Sequence, residues 1–347
     1  MTLSMFRVAV FCGIAPLCFS AAPALANESV PTTWNDLRTD AYALVESEQI
    51  DEALALIEQT APSLPDRGYE ISNLKMETLF EAGRTEEAMD VWEQGVDEGY
   101  FYFVIPRSQT YEDVRKTERF RSALARNNQL RNAANEASQP SFEIIKPASY
   151  SPDRTYPMVM VIHGGNQSIV KAKGRWDPQA FGDDLIIAYV QSSRLAATKS
   201  YRWDLRGVDI YSRGMAQDEV LSMYREIVGR YPVDTEKVTL VGFSQGGNLA
   251  LFMAAEGTIP AKGLIAGCPA TQSPVSLETA RAAASRGLTG TIFAGADDWT
   301  AAAAQTTVDN FAEAGISINH IVMEDKGHEF PDDFDMVLRD AVEKIYR

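Results

Sequence analysis

The clearest chemical signal in the sequence is Ser244, which stands at the centre of a G-x-S-x-G pattern, G-F-S-Q-G over residues 242–246. An apolar run, 238–243, precedes it and a helical pattern follows it, as in the tight strand-to-helix turn that lifts a nucleophilic serine above a sheet. Side chains two residues away would collide in such a turn, so Gly242 and Gly246 are required there. The pattern predicts nucleophilic attack by Ser244.

A serine hydroxyl is a weak nucleophile without a general base, and the sequence offers three histidines. His328 lies in the loop 325–330, directly after the last predicted strand, and we take it as the base. His320 lies inside the apolar strand 318–323, where packing is the usual role. His163 ends an earlier strand, and we assign it a different use.

The base needs a carboxylate that holds its tautomer and stabilises the imidazolium. The strand 291–294 runs into G-A-D-D-W over 295–299, which gives the chain order Ser, Asp, His. Asp298 fits a Gly-x-x-Asp spacing and is the predicted acid. Asp297, interpreted as a turn former, is the first alternative, and Asp325, in the same loop as His328, is the weaker one.

The developing negative charge of an acyl-transfer reaction needs backbone N–H donors. The sequence His163-Gly164-Gly165 at a strand end exposes such donors. We predict an oxyanion hole made by the N–H groups of Gly165 and Gln245. The alternative is a glycine-rich turn with a structural histidine.

The elements that would position these residues are short apolar runs alternating with amphipathic helices. Strands are predicted at 142–145, 158–163, 185–190, 238–243, 264–267, 291–294 and 318–323, and helices at 215–231, 248–257, 301–314 and 332–346. This alternation predicts the α/β class: a mostly parallel sheet with helices on both faces, with reactive groups at the carboxyl ends of its strands.

Taken together, these motifs resemble the α/β-hydrolase superfamily, in particular its carboxylesterase, acyl-thioesterase and dienelactone-hydrolase-like branch. The similarity covers roughly residues 140–347, the predicted catalytic domain. It differs from dienelactone hydrolases proper in carrying Ser244 where they carry a cysteine nucleophile. The resemblance implies an acyl-enzyme mechanism in which Ser244 attacks, His328 shuttles the proton and water frees the acid. No metal or organic cofactor is expected, and no H-E-x-x-H, C-x-x-C or P-loop pattern occurs.

Residues 33–138 form a predicted helical domain that precedes the catalytic one. Leu44, Ala53 and Ile57 are echoed 35 residues later by Leu79, Ala88 and Trp92. The segment resembles two degenerate tetratricopeptide hairpins, although the first copy lacks a glycine equivalent to Gly83. Two copies are too few to stack alone. We therefore expect these helices to bind a partner protein or another part of the chain, with residues 100–103 and the helix of Phe120 as docking surfaces.

Residues 1–26 have the pattern of a signal peptide: Arg7, an apolar run over 8–19, and Ala24-Leu25-Ala26 as a cleavage site. Cleavage after Ala26 predicts a periplasmic or secreted protein without a membrane span. Only Cys268 then remains, so no internal disulfide forms. The net charge of −16 and the absence of basic runs exclude nucleic acid as a partner.

Two aromatic residues are candidates for substrate binding. Trp203 lies in the aromatic and basic loop 201–206, for which packing of a long surface connection is an equal alternative, and Trp299 adjoins the predicted acid. The leading hypothesis is an exported serine hydrolase that cleaves small carboxylic esters. The alternatives are a serine peptidase of the oligopeptidase type and a helical-repeat adaptor whose hydrolase part is not catalytic.

Overall fold

The computed structural model of the protein describes residues 31–204 and 212–346. The predicted leader, residues 1–26, therefore lies outside the described residues. The chain forms two compact units. One contains the helices up to Ala137, and the other extends from Ser138 to the end of the described chain.

The first unit consists of helices in which each packs against the next along the chain. Among the described residues these are α1 (Trp34–Glu46), α2 (Ile50–Thr60), α3 (Gly68–Glu81), α4 (Thr85–Asp97) and α5 (Glu118–Ala137), with short 3-10 turns at Ala61–Ser63, Pro65–Arg67 and Gln109–Tyr111. The repeated positions carry core residues, because Ala53, Ile57, Ala88 and Trp92 have no exposed surface. The unit thus contains two successive helical hairpins, and their likeness to tetratricopeptide repeats stays a prediction.

The turns of these two hairpins have the same backbone shape although their sequences differ. Gly83, between α3 and α4, has φ +71°, and Glu48, 35 residues earlier between α1 and α2, has φ +60°. The N–H of each residue donates to the carbonyl three residues before it, Phe80 and Val45 respectively. The turn requires a residue with positive φ, which glycine adopts most easily. In the first hairpin a glutamate, Glu48, takes this conformation instead.

The buried side-chain amide of Asn127, on α5, hydrogen-bonds the segment that follows α4. The Asn127 side chain accepts hydrogen bonds from the Tyr102 N–H at 2.7 Å and from Trp92 Nε1 at 3.3 Å, and it donates to the Tyr102 carbonyl at 3.0 Å. Tyr102 and Phe120 are fully or almost fully buried, and both belong to the core of this unit. These two rings are therefore core residues of the unit, and the docking role predicted for residues 100–103 and the helix of Phe120 stays a prediction.

The second unit is built on a seven-stranded sheet in the described chain, with strand order β1-β3-β2-β6-β7-β8-β9. The strands are β1 (Ser141–Ile145), β2 (Tyr156–Ile162), β3 (Ile186–Gln191), β6 (Val233–Phe243), β7 (Gly263–Gly267), β8 (Thr289–Gly295) and β9 (Ile318–Met323), with a small separate hairpin of β4 (Leu195–Ala197) and β5 (Ser200–Tyr201). Only the edge strand β1 pairs antiparallel; the other neighbours in this sheet are parallel.

Helices cover this sheet, since both sets of alternating strand residues are buried. Val159 and Val161 pack in a core with Trp176 and Leu338, while Met160, which points to the opposite face, is also fully buried. The helices are α6 (Ile169–Arg175), α7 (Arg213–Arg230), α8 (Gln245–Glu256), α9 (Leu277–Ser285), α10 (Ala301–Glu313) and α11 (Phe334–Tyr346), with a 3-10 turn at Pro178–Phe181. This arrangement confirms the predicted fold class, a mostly parallel sheet with helices, preceded by a helical region.

The strand order reverses its direction of growth between the adjacent strands β2 and β6. In open α/β sheets, ligands bind beyond the carboxyl ends of the strands at such a switch point. Gly164 follows β2 and Ser244 follows β6, so the predicted nucleophile and oxyanion loop meet at this position.

Within residues 31–204 and 212–346, no helix has the length and apolar character needed to cross a membrane.

Candidate active site

Ser244 occupies a strained turn between β6 and α8. Its φ of +57° and ψ of −120° are rare for a residue with a side chain. A Cβ on Gly242 would lie 2.4 Å from the Gly246 carbonyl carbon, and one on Gly246 would lie 2.0 Å from the Ile162 carbonyl oxygen. The turn can therefore form only with these two glycines, as the sequence pattern predicts.

Hydrogen bonds to the neighbouring loop hold this turn in place. The Ser244 N–H donates to the Gly267 carbonyl at 2.9 Å, and the Ser244 carbonyl accepts from the Ala270 N–H at 2.9 Å. Both partners lie at the end of β7 or in the loop that follows it. Backbone hydrogen bonds thus stabilise the strained conformation of Ser244, and its side-chain hydroxyl is not needed for this.

His328 forms a hydrogen-bonded pair with Asp298. Its Nδ1 lies 2.8 Å from Oδ2 of Asp298, whose side chain is completely buried. The two alternatives, Asp297 and Asp325, are both exposed. Of the three carboxylates considered from the sequence, the structure brings only Asp298 to His328.

The surroundings of Asp298 favour its charged form. Burial by itself would raise the pKa of this carboxyl group, but hydrogen bonds from His328, the Thr300 N–H and Cys268 together lower the pKa below its usual value. The Thr300 N–H donates to Oδ1 at 3.0 Å, so the two carboxylate oxygens have different partners. An ionised Asp298 holds the proton of His328 on Nδ1 and leaves Nε2 able to accept a proton.

The His328 ring lies beside the nucleophile turn. The ring packs against Phe243, the residue before Ser244, with centroids 5.0 Å apart. Over the described chain, the Ser244 hydroxyl makes no hydrogen bond to a protein group. Catalytic hydrogen bonds often take their final geometry only in the complex with substrate.

Two N–H groups remain available at the switch point. Gly165 follows β2 and Gln245 is the first residue of α8, whose N-terminus carries partial positive charge. Neither N–H donates to a protein acceptor within the described ranges. A Cβ on Gly165 would lie 3.0 Å from Cδ of Gln245, so the two predicted donors are on neighbouring pieces of chain.

His163 is a neutral histidine with both ring nitrogens engaged. Its Nδ1 lies 2.6 Å from the Gly164 carbonyl, and its Nε2 lies 3.2 Å from the Ser192 N–H. Since an N–H must face each carbonyl and a lone pair each N–H, the proton is assigned to Nδ1. Burial lowers the pKa of His163 to about 4, against the opposing effect of the Gly164 carbonyl. His163 thus fixes the loop that carries Gly165 and has no ring nitrogen left to serve as a base.

The two predicted substrate-binding tryptophans lie in different surroundings. Trp299 is 55% exposed, and its ring is stacked on His328 with centroids 5.9 Å apart. Trp203 is 1% exposed; its ring stacks on His163 at 4.8 Å, and its Nε1 donates to the His163 carbonyl. The structure therefore gives Trp203 a supporting position, not a surface open to a ligand. His320 lies within β9, as predicted for a packed strand residue.

Sequence reasoning overlooked one residue of this site, Cys268. It follows β7, is completely buried, and groups with Asp298 and His328 so that their ligand atoms lie within 4.8 Å of one another. In this set Nδ1 of His328 and Oδ2 of Asp298 are already bonded to each other at 2.8 Å. The position of Cys268 at a strand end of the same sheet edge was the one available signal.

No family model and no curated protein matches this chain. Among solved structures, it is similar to an uncharacterized protein from Bacillus cereus ATCC 10987, with 20% identity over 90% of this chain and 99% of that one and a TM-score of 0.48. It is also similar to esterase PE8 (16% identity, 60% and 99% coverage, TM-score 0.49) and to the Bacillus cereus carboxylesterase (13% identity, 62% and 99% coverage, TM-score 0.47). These values are too low to transfer an activity.

Proposed function

We propose that this protein is a serine hydrolase that cleaves carboxylic esters through Ser244, His328 and Asp298. The observation that carries the proposal is the bond of 2.8 Å between the partly exposed His328 and the buried Asp298, beside the turn that holds Ser244 at φ +57°. A strained serine next to an oriented histidine is the arrangement that activates a hydroxyl for acyl transfer.

In the proposed reaction, Nε2 of His328 takes the hydroxyl proton as Oγ of Ser244 attacks the ester carbonyl. The negative charge on the carbonyl oxygen is accepted by the N–H groups of Gly165 and Gln245. Collapse of the tetrahedral intermediate breaks the bond to the alcohol, which leaves with the proton from His328. Water, deprotonated by His328, then attacks the acyl-enzyme; the acid leaves as the proton on His328 returns to Oγ of Ser244.

Asp298 stabilises the imidazolium that exists in both halves of this cycle. Its side chain is buried, so water does not weaken the attraction between its carboxylate and the charged ring. Trp299 is proposed to contact the substrate, because its exposed ring lies over His328, where the alcohol departs. The small, soluble esters favoured by the sequence fit a site with one exposed aromatic wall.

The test is turnover of short-chain p-nitrophenyl esters by wild type and by Ser244→Ala. We expect kcat to fall by about 10⁴ or more in the variant, as it does when a triad nucleophile is removed. Ser285→Ala, an exposed serine in α9, is the matched control and should retain wild-type activity. Activity that survives in Ser244→Ala would overturn the proposal, as would a folded wild type that hydrolyses no ester of any chain length.

Export is proposed on the leader pattern of residues 1–26 alone. Protein recovered from the periplasm or medium should have a mass corresponding to an N-terminus at Asn27. Recovery of the chain only from the cytoplasm, with its first residues intact, would contradict this.

A further inference from the structure

The side-chain amide of Gln245 binds a part of the chain that the proposed reaction does not use. Its Oε1 accepts the Trp203 N–H at 3.0 Å, and its Nε2 donates to the Asp204 carbonyl at 3.4 Å. Both partners belong to residues 201–204, which begin at the end of β5 and are called the brace below. Gln245 thus supplies one proposed oxyanion donor with its backbone and binds the brace with its side chain.

The brace is also bound to the oxyanion loop, residues 163–167, which carries the other proposed donor. Tyr201 and Gln167 exchange backbone hydrogen bonds of 2.8 and 3.2 Å. Nε1 of Trp203 donates to the His163 carbonyl at 2.8 Å, and the two rings are stacked. The chain segments that carry the two donors are therefore joined through one piece of backbone.

A direct contact links the two donor residues as well. The backbone of Gly165 is not in the left-handed region, so its φ would accept an alanine. A Cβ there would nonetheless lie 3.0 Å from Cδ and 3.1 Å from Oε1 of Gln245, closer than the usual 3.5–4.0 Å between carbon atoms. Because two hydrogen bonds hold this amide, it does not move aside freely. The glycine at 165 thus makes room for the Gln245 side chain.

We propose that the Gln245 side chain is a positioning group for the oxyanion hole, an inference that rests on the proposed function. By binding the brace, it sets the place of the Gly165 N–H relative to the N–H of Gln245. Donors that are already in position stabilise the charge of the tetrahedral intermediate without moving during the reaction. Loss of the side chain should therefore slow acyl transfer and change ester binding little.

The first experiment is a double-mutant cycle on p-nitrophenyl ester hydrolysis with Gly165→Ala, Gln245→Ala and the double variant. Each single change should lower kcat about tenfold with little change in KM, since a displaced donor costs less than the factor of about 10² to 10³ for a lost one. The double variant should be no slower than Gln245→Ala, because the added methyl group then meets no amide. Single effects that multiply would show two independent positions and would contradict the inference.

A second substrate separates a displaced oxyanion hole from a general loss of activity. In the thionoester, sulfur replaces the carbonyl oxygen and accepts hydrogen bonds more weakly. Wild type should prefer the oxygen ester, and this preference in kcat/KM should fall about tenfold in Gln245→Ala. Gln217→Ala, which removes an exposed amide bonded to Glu256, is the matched control and should keep the wild-type preference. If Gln245→Ala slows both substrates equally, its side chain is only structural and the proposal fails.

A third measurement, hydrogen exchange of backbone amides, does not depend on turnover. The N–H of Gly164 donates to Oε1 of Gln167 at 3.1 Å, and the N–H of Gln167 donates to the Tyr201 carbonyl at 3.2 Å. Both amides should exchange faster in Gln245→Ala than in wild type. Unchanged exchange would mean that the brace does not hold the oxyanion loop, which overturns the inference even if the esterase proposal stands. A folded wild type without esterase activity refutes the proposed function, and the exchange result then decides the link between brace and loop.

Discussion

Replacing Asp298 by asparagine should nearly abolish hydrolysis while leaving the fold intact. Oδ1 of Asp298 accepts the Thr300 N–H at 3.0 Å, and Oδ2 faces Nδ1 of His328 at 2.8 Å. An asparagine would keep its carbonyl oxygen on the Thr300 N–H, because that partner can only donate. Its NH₂ group would then point at Nδ1 of His328.

This reversal changes the tautomer of the base. With a donor facing it, Nδ1 must be unprotonated, so the proton of the neutral ring moves to Nε2, the atom that should accept the proton of Ser244. The wrong tautomer in a Ser-His-Asp triad costs a factor of about 10⁴ in kcat, or about 5.5 kcal/mol in activation free energy. The shape of the side chain is unchanged, so we expect the melting temperature to change little.

The assay is kcat for a p-nitrophenyl ester in wild type, Asp298→Asn and Asp297→Asn, with circular dichroism to show that each is folded. Asp297 is exposed and adjacent in sequence, so its variant is the matched control and should remain within about twofold of wild type. A large loss in Asp297→Asn with little loss in Asp298→Asn would refute the assignment of the acid. Equal small losses in both would refute the triad itself.

Three further predictions concern His163, the left-handed turns of the helical unit, and Trp299. His163 is neutral in the folded protein, with a pKa of about 4 against an ordinary 6.5, so the unfolded chain takes up its proton first as pH falls. The contribution of neutral His163 to the free energy of unfolding is fully present above pH 6.5 and falls by about 3 kcal/mol between pH 6.5 and pH 4. Urea unfolding at several pH values measures this fall, and it should be smaller in His163→Gln. Because both turns need a positive φ, Glu48→Gly should raise the unfolding free energy of the helical unit by about 1 kcal/mol, and Gly83→Ala should lower it. Changes of the same sign in the two variants would contradict the shared turn geometry. Trp299→Ala should raise KM roughly three- to tenfold with kcat little changed; a loss confined to kcat would argue against substrate contact.

The sheet was predictable because its strands are buried on both faces. Continuous apolar runs such as 158–162 leave little choice of secondary structure, and the glycines around Ser244 mark a turn that has one backbone solution. The helices α6 and α9 were not predicted. α6 has only seven residues and α9 nine, too few for a clear helical period.

The site was predictable in its residue types but not in its contacts. Spacing favoured Asp298 over Asp297, yet only three-dimensional packing shows which of two adjacent carboxylates is buried on His328. The packing of Trp203 on His163 and the place of Cys268 beside Asp298 could not be predicted, because the direction of a side chain in a loop or after a strand depends on residues far away in the sequence. The left-handed turn at Glu48 was hidden because glutamate gives no local sign of a positive φ.

The site residues come from the ends of five strands, β2, β6, β7, β8 and β9, which lie between residues 156 and 323 of the chain. No two consecutive elements can form the site, because His163 and His328 are separated by most of the second unit. During refolding, helices with local contacts form early, whereas pairings between distant strands come late. Recovery of hydrolytic activity should therefore follow the recovery of helical circular dichroism and mark the moment when the edge strand β9 joins the sheet.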